Sequence, residues 1–313
     1  MLYTGETMQR REFLMLLPFA ASAGCRYAAE NPDAGEPAVS VQKKTDTVSK
    51  PDEWLLRYRF RKGEELRWNV LQTIKMRNII GGVEENIETH SRSVKIWKTL
   101  DVNAGGTAVF EYRVEDVDMY QVQTGFDDAA YNSRRDKTIP AAFINLDGKI
   151  GVPLARISID PLGKTAKKPM REYAGHITEN RIVIPLPAEP VKTGAEWTVS
   201  VPAELPLPNR TVKKVKARQR FTLSRVHHGL TVIPFETLVY TPLTPKEESQ
   251  LFDLFAKGTM ELDLDAGHFI RQQMTIDRLA VGVSGNADSI SYQSRLTECC
   301  CGKKACEICT PSA

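Results

Sequence analysis

Four basic residues at every second position, Lys214, Lys216, Arg218 and Arg220, alternate with Val215, Ala217, Phe221 and Leu223 on the opposite side of the chain. Successive side chains of an extended strand point to opposite faces, so the four cations form a ladder suited to phosphate headgroups or acidic glycans. The same pattern also suits an exposed or edge strand that its charges keep from aggregating. Glu261, Asp263 and Asp265 make an acidic ladder opposite Met260, Leu262 and Leu264. If the two strands are neighbours, the ladders neutralise one another across the sheet.

Cysteines supply the second candidate chemistry. After Cys25 they occur only as Cys299, Cys300, Cys301, Cys306 and Cys309. Four such thiolates can hold zinc or copper(I), with Lys303 and Lys304 offsetting their charge. In an oxidising compartment the expected state is disulfides, with one thiol of an odd set left over or joined to a partner, so no metal is favoured. His90, His176, His227, His228 and His268 show neither H-x-x-x-H nor H-E-x-x-H spacing, and no serine lies in G-x-S-x-G. His227-His228-Gly229 is expected to be a turn and His268 a hairpin flank. No catalytic residue and no cofactor is assigned.

At the other end, Arg10-Arg11-Glu12-Phe13-Leu14 resembles the core of a bacterial twin-arginine export signal, with Arg10, Arg11, Phe13 and Leu14 in the matching places. The apolar run from Phe13 to Ala23 is too short for a permanent membrane span and ends in small residues. Ala21-Ser22-Ala23 fits ordinary signal peptidase. Ser22-Ala23-Gly24-Cys25 resembles a lipobox, in which the Cys25 thiol takes up diacylglycerol; this is the favoured alternative. Residues 26–52 are rich in Ala, Glu, Pro, Asp, Ser, Lys and Thr and bury too little surface to offset ordering entropy, so they are expected to form a flexible tether.

The elements that must position these groups are strands. Leu56, Tyr58 and Phe60 alternate with arginines, Leu66, Trp68 and Val70 with polar residues, and Val94, Ile96, Leu100 and Val102 continue the pattern. Asp147-Gly148 predicts a two-residue hairpin. Thr244-Pro245 with Glu247 predicts a capped helix, carrying Leu251, Phe252, Leu254 and Phe255 and ending at Gly258. A weaker counterpart spans Asp127 to Ala142, broken by Pro140.

Landmarks recur in order. Ile182-Val183-Ile184 parallels Leu56-Arg57-Tyr58, Gly194-Ala195-Glu196-Trp197 parallels Gly63-Glu64-Glu65-Leu66, and Val215 to Leu223 parallels Val94 to Val102. Phe235-Glu236 then parallels Phe110-Glu111, and Leu264 to Gly267 parallels Leu146 to Gly148. The spacing predicts an all-β, mainly antiparallel body at 53–298, made of two duplicated halves near 54–160 and 180–298 in a sandwich or open barrel with one or two short helices. A Cys-rich tail follows at 299–313.

This arrangement, with Pro187-Ala188-Glu189-Pro190-Val191-Lys192-Thr193-Gly194-Ala195-Glu196-Trp197 leading into the second repeat, resembles a large group of uncharacterised exported bacterial β-rich proteins. The resemblance implies a periplasmic or surface location and transfers no catalytic residue. With 42 Lys and Arg against 39 Asp and Glu, the formal charge of +3 gives no general pull toward nucleic acid. The expected protein is therefore exported, anchored to the bacterial membrane through a lipidated Cys25, and non-catalytic, binding or scaffolding an amphipathic or anionic envelope ligand. A periplasmic lipid carrier with an open barrel and a helical lid is the first alternative and an unrecognised hydrolase the second. Oligomeric state is not legible.

Overall fold

The computed structural model describes residues 53–166, 183–207, 210–285 and 287–300. The export signal, Cys25, the 26–52 tether, His176, Cys301, Cys306 and Cys309 lie outside the described residues.

Alternating apolar residues become strands, as expected. In chain order they are β1 (Glu53–Trp54), β2 (Glu65–Ile80), β3 (Val83–Val102), β4 (Ala108–Gln123), β5 (Ala129–Asn132), β6 (Pro153–Ile159), β7 (Thr165–Ala166), β8 (Val191–Lys192) and β9 (Glu196–Ser200). They continue as β10 (Ala203–Pro206), β11 (Val212–Val215), β12 (Ala217–Thr222), β13 (Arg225–His227), β14 (Leu230–Val239), β15 (Lys257–Asp263), β16 (His268–Val281) and β17 (Ser289–Cys300). The main sheet runs β7-β6-β4-β3-β2-β17-β16-β15-β14-β12-β9, with β5 on β4 and β13 on β14; β1 pairs β8 and β10 pairs β11 separately. Strand pairing is antiparallel, and β7 and β9 do not pair with each other, so the described sheet is not a closed barrel. The class is all-β.

Why the sheet must fold over follows from two hydrogen bonds. On a flat sheet, the six ladder steps from β6 to β15, each about 4.8 Å, would set these strands about 29 Å apart. Yet the neighbouring residues Tyr58 and Arg59 donate their backbone N–H groups to Pro161 O and Gly267 O, each at 2.9 Å, in the turns that follow β6 and β15. The sheet therefore doubles over a shared interior, in the manner of a sandwich.

Segment 55–61 is thus an internal strut, not the strand its alternation predicts. Leu56 and Tyr58 are buried and Phe60 partly so, in the expected phase, while Leu55 is exposed, but the backbone bonds of the segment go to turns. Residues 183–187 behave alike: Leu186 N–H reaches Leu162 O at 2.8 Å, and the Trp197 indole on β9 donates to Pro185 O at 2.8 Å. The struts are joined to one another. The Arg57 guanidinium donates to the carbonyls of Pro187 and Ala188. The Tyr58 hydroxyl donates to Ile184 O at 3.1 Å and accepts from Ile184 N at 3.0 Å.

The turns at Gly63 and Gly194 share one hydrogen-bond pattern. Gly63 N–H bonds Thr99 O at 2.9 Å and Thr99 N–H bonds Glu64 O; correspondingly, Gly194 N–H bonds Leu223 O at 2.7 Å and Leu223 N–H bonds Ala195 O. Both glycines have positive φ, +80° and +88°. These bonds align Thr99 with Leu223, three places from the alignment expected from sequence. The same register puts Trp97 beside Tyr112 where Phe221 meets Phe235, so Tyr112, not Phe110, is the counterpart of Phe235.

Other expectations need correction for local reasons. Ala141–Leu146 is a 3-10 helix following Pro140, so Asp147-Gly148 closes a helical turn and not a hairpin. The structural counterpart of Leu264 to Gly267 is Pro161 to Gly163, since each ends a turn on a left-handed glycine touching a strut. Thr244 and Glu247 do form a capping box, but the α-helix covers only Pro245–Ser249 and a 3-10 turn follows at Phe252–Phe255. Gly258 lies inside β15.

In β3 the buried phase is reversed. Trp97 faces the interior with Phe110 and Tyr112, whereas Val94 and Ile96 are buried on the outer face. There Ile96 lies opposite Arg67 and Arg113, whose ion pairs with Glu115 and Glu65 lay long side chains over it.

Gly267 tests the strut. At φ +72° an added Cβ would lie 2.4 Å from Arg59 Cβ and 2.7 Å from its backbone N, whereas at Gly125, φ +79°, it meets nothing within 4 Å. Gly125→Ala should cost about 1–2 kcal/mol from backbone strain alone. Gly267→Ala should cost clearly more in urea unfolding; equal losses would show that the strut yields freely.

Candidate functional site

Lys214, Lys216, Arg218 and Arg220 are all exposed, as their spacing predicts. They do not share one continuous strand. Lys214 ends near the close of β11, opposite Glu204 on β10, while Arg218 and Arg220 lie on β12 between β9 and β14. Lys216 sits at the junction, where its N–H donates to Thr241 Oγ1 and its carbonyl accepts from Tyr240 N, both at 2.8 Å.

The acidic ladder is not their partner. β14 separates β15 from β12, and Glu261 instead faces Arg271 at 3.7 Å. The Asp263 carboxylate accepts from the N–H groups of Asp265 and Ala266, shaping the turn before β16. Arg220 is ion-paired with Glu236. Among the described residues, no ion pair involves Lys214, Lys216 or Arg218. These three cations follow one another at alternate positions from β11 through the junction into β12.

Lys213, on the opposite side of β11, has a structural task. Its Nζ lies 2.8–2.9 Å from both Glu247 carboxylate oxygens and 2.9 Å from Pro242 O, tying the short helix to the strand. This hydrogen bond, before that from the Thr244 backbone, holds the Glu247 carboxyl below its usual range.

A second polar cluster sits on the interior face. Lys95 on β3 reaches across β2 to Glu298 on β17, with Nζ 2.5 Å from Oε1. Lys95 lies opposite Trp68, and Glu298 opposite Val70 and the buried Gln272. Burial is the main cause raising the nearby Tyr112 hydroxyl above the ordinary phenol range; Lys95 opposes that shift and Glu298 adds to it. Sequence reasoning misses this pair, because the apolar Val94 and Ile96 suggest that Lys95 points outward. The bulk of Trp97, on the same face as Lys95, was the available signal.

The histidines are dispersed. His228 and Gly229, at φ 48° and 76°, form the β13–β14 turn, and His268 opens β16 with Nδ1 2.9 Å from Phe269 O. His90 Nε2 is 2.8 Å from Glu88. Cys299 is buried and disulfide-bonded, and Cys300 lies opposite Trp68. Among the described residues, no group of three or more His, Cys, Asp or Glu is placed to hold a metal ion. No described helix is long and apolar enough to cross a membrane.

No family model matches the chain, and no curated protein matches it. Among solved structures it is similar to DynF from the dynemicin biosynthesis pathway of Micromonospora chersina, at 9% identity over 84% of this chain and 92% of DynF. The TM-score of 0.18 carries no argument.

The interior pair gives a direct prediction. Removing one partner leaves the other charge half-buried, so Lys95→Met or Glu298→Gln should each lower unfolding free energy by about 1–3 kcal/mol. The double variant should recover part of the loss. Strict additivity in the urea-unfolding cycle would mean the two charges do not interact.

Proposed function

We propose that this is an exported, lipid-anchored, non-catalytic envelope protein that holds an anionic partner on the strand face carrying Lys214, Lys216 and Arg218. The supporting observation is their exposure without an ion-pair partner among the described residues. The fourth cation of the series, Arg220, is taken up by Glu236, as Arg77 and Arg156 elsewhere on the sheet are by Glu84 and Glu111. Three cations left facing water attract an anion with repeated charges, and ionic strength screens that attraction. The anchoring part rests on the twin-arginine and lipobox resemblance around Arg10, Arg11 and Cys25. We further propose that the two halves arose by duplication, which the repeated Gly63 and Gly194 entrances support.

The ligand face is tested in a Cys25→Ser background, so that no acyl chain contributes to binding. Cosedimentation with anionic phospholipid vesicles, and with an acidic polysaccharide, should fall steeply as salt rises. Lys214→Glu with Lys216→Glu should weaken binding at least tenfold and abolish the salt dependence. Unchanged binding by that variant would remove the ladder from the account.

A further inference from the structure

Six of the twelve large apolar side chains exposed among the described residues gather at one end of the sheet: Ile80, Val83, Val122, Phe126, Leu279 and Val281. They belong to three hairpin ends that are bonded together. Thr124 N–H donates to Asn86 O and Asn86 N–H to Thr124 Oγ1, both at 2.9 Å, joining the β4–β5 turn to the start of β3. Gly81 N–H donates to Asp288 Oδ1 at 2.9 Å, joining the β16–β17 turn to the same group. These bonds make the rim a defined surface, and exposed apolar clusters of this kind mark interaction sites.

Its charge identifies the occupant. Glu85, Asp127 and Asp128 lie in or beside these turns, while Glu84 and Arg77 neutralise one another through paired hydrogen bonds of 2.8 and 3.0 Å. An apolar rim edged by acids is repelled by an anionic bilayer and calls for a basic surface with apolar side chains of its own. This chain presents such a surface: Lys214, Lys216 and Arg218 flank the exposed Val212 and Tyr240, and the Tyr240 N–H bonds Lys216 O. We infer that the acidic rim of one copy docks on the basic ladder of a second copy, head to tail. This inference rests on the ladder being an anion-binding face and names the partner of that face. The two patches are different surfaces, so the contact is heterologous and can continue into rings or chains.

Sedimentation velocity of the Cys25→Ser chain, from low micromolar to several hundred micromolar, tests it. Self-association should appear at low salt and fall at least tenfold at high salt. Val83→Ser with Phe126→Ser should also weaken it, as should either charge reversal, Asp127→Lys with Asp128→Lys or Lys214→Glu with Lys216→Glu. Mixing the two charge-reversed variants should restore association between them, which a folding defect cannot do. A wild type that stays monomeric at low salt overturns the inference, even if the ladder still binds anionic vesicles; in that case only the ladder assignment survives. Association that persists in the ladder variant, or a rim that binds zwitterionic vesicles while the protein stays monomeric, overturns it as well.

Discussion

The Tyr58 hydroxyl, bonded to both backbone groups of Ile184, is the constraint on which the fold-over depends. An extended strut inside a protein exposes N–H and C=O groups that no neighbouring strand satisfies, and each unsatisfied buried group costs about 1–3 kcal/mol. One phenol oxygen, acting as donor and acceptor, answers two such groups on Ile184. Burial raises this hydroxyl well above the ordinary phenol range, and its hydrogen bond with Ile184 opposes that shift. Around it, Tyr58 stacks on Phe60 and meets Phe269 edge-on, while Phe60 meets Phe110, linking β16 to β4 through the strut.

The struts explain how an unclosed sheet keeps an interior. Edge strands normally require a partner or a cover. Here residues 183–187 join the turn beside β7 to Trp197 on the opposite edge strand, β9, so the main chain spans the opening that hydrogen-bonded strands leave. Left-handed glycines make the contacts feasible. Gly163 approaches Ile184 O and the Tyr58 ring closely, and Gly267 does the same with Arg59; a side chain at either place would separate strut from turn. Strut, turn and interior therefore form one unit, while the ladder and the rim lie on the outside of it.

Much of this was legible in the sequence, for identifiable reasons. Period-two burial at Leu56, Tyr58, Val70 and Phe221 gave the all-β class, and Thr244 with Glu247 gave the helix start, because both signals are local. The exposure of the basic ladder followed from the same alternation. What was not legible depended on tertiary partners. Alternation cannot distinguish a laddered strand from a strut bonded to turns, so segment 55–61 was assigned to the wrong class of element. Lys95 pairs with Glu298 far along the chain, and the phase of β3 is decided by Trp97 and by charged side chains laid over Ile96. The order of landmarks suggested a repeat from sequence, but the matching hydrogen bonds at the Gly63 and Gly194 entrances depend on partners far along the chain.

The central claim is that Tyr58 ties the two struts, and Tyr58→Phe tests it with the ring and its packing retained. Equilibrium urea unfolding, with amide exchange followed at Ile184, should show a loss of about 2–4 kcal/mol and a marked fall in protection at that amide. A change within about 0.5 kcal/mol, with Ile184 still protected, would contradict the account.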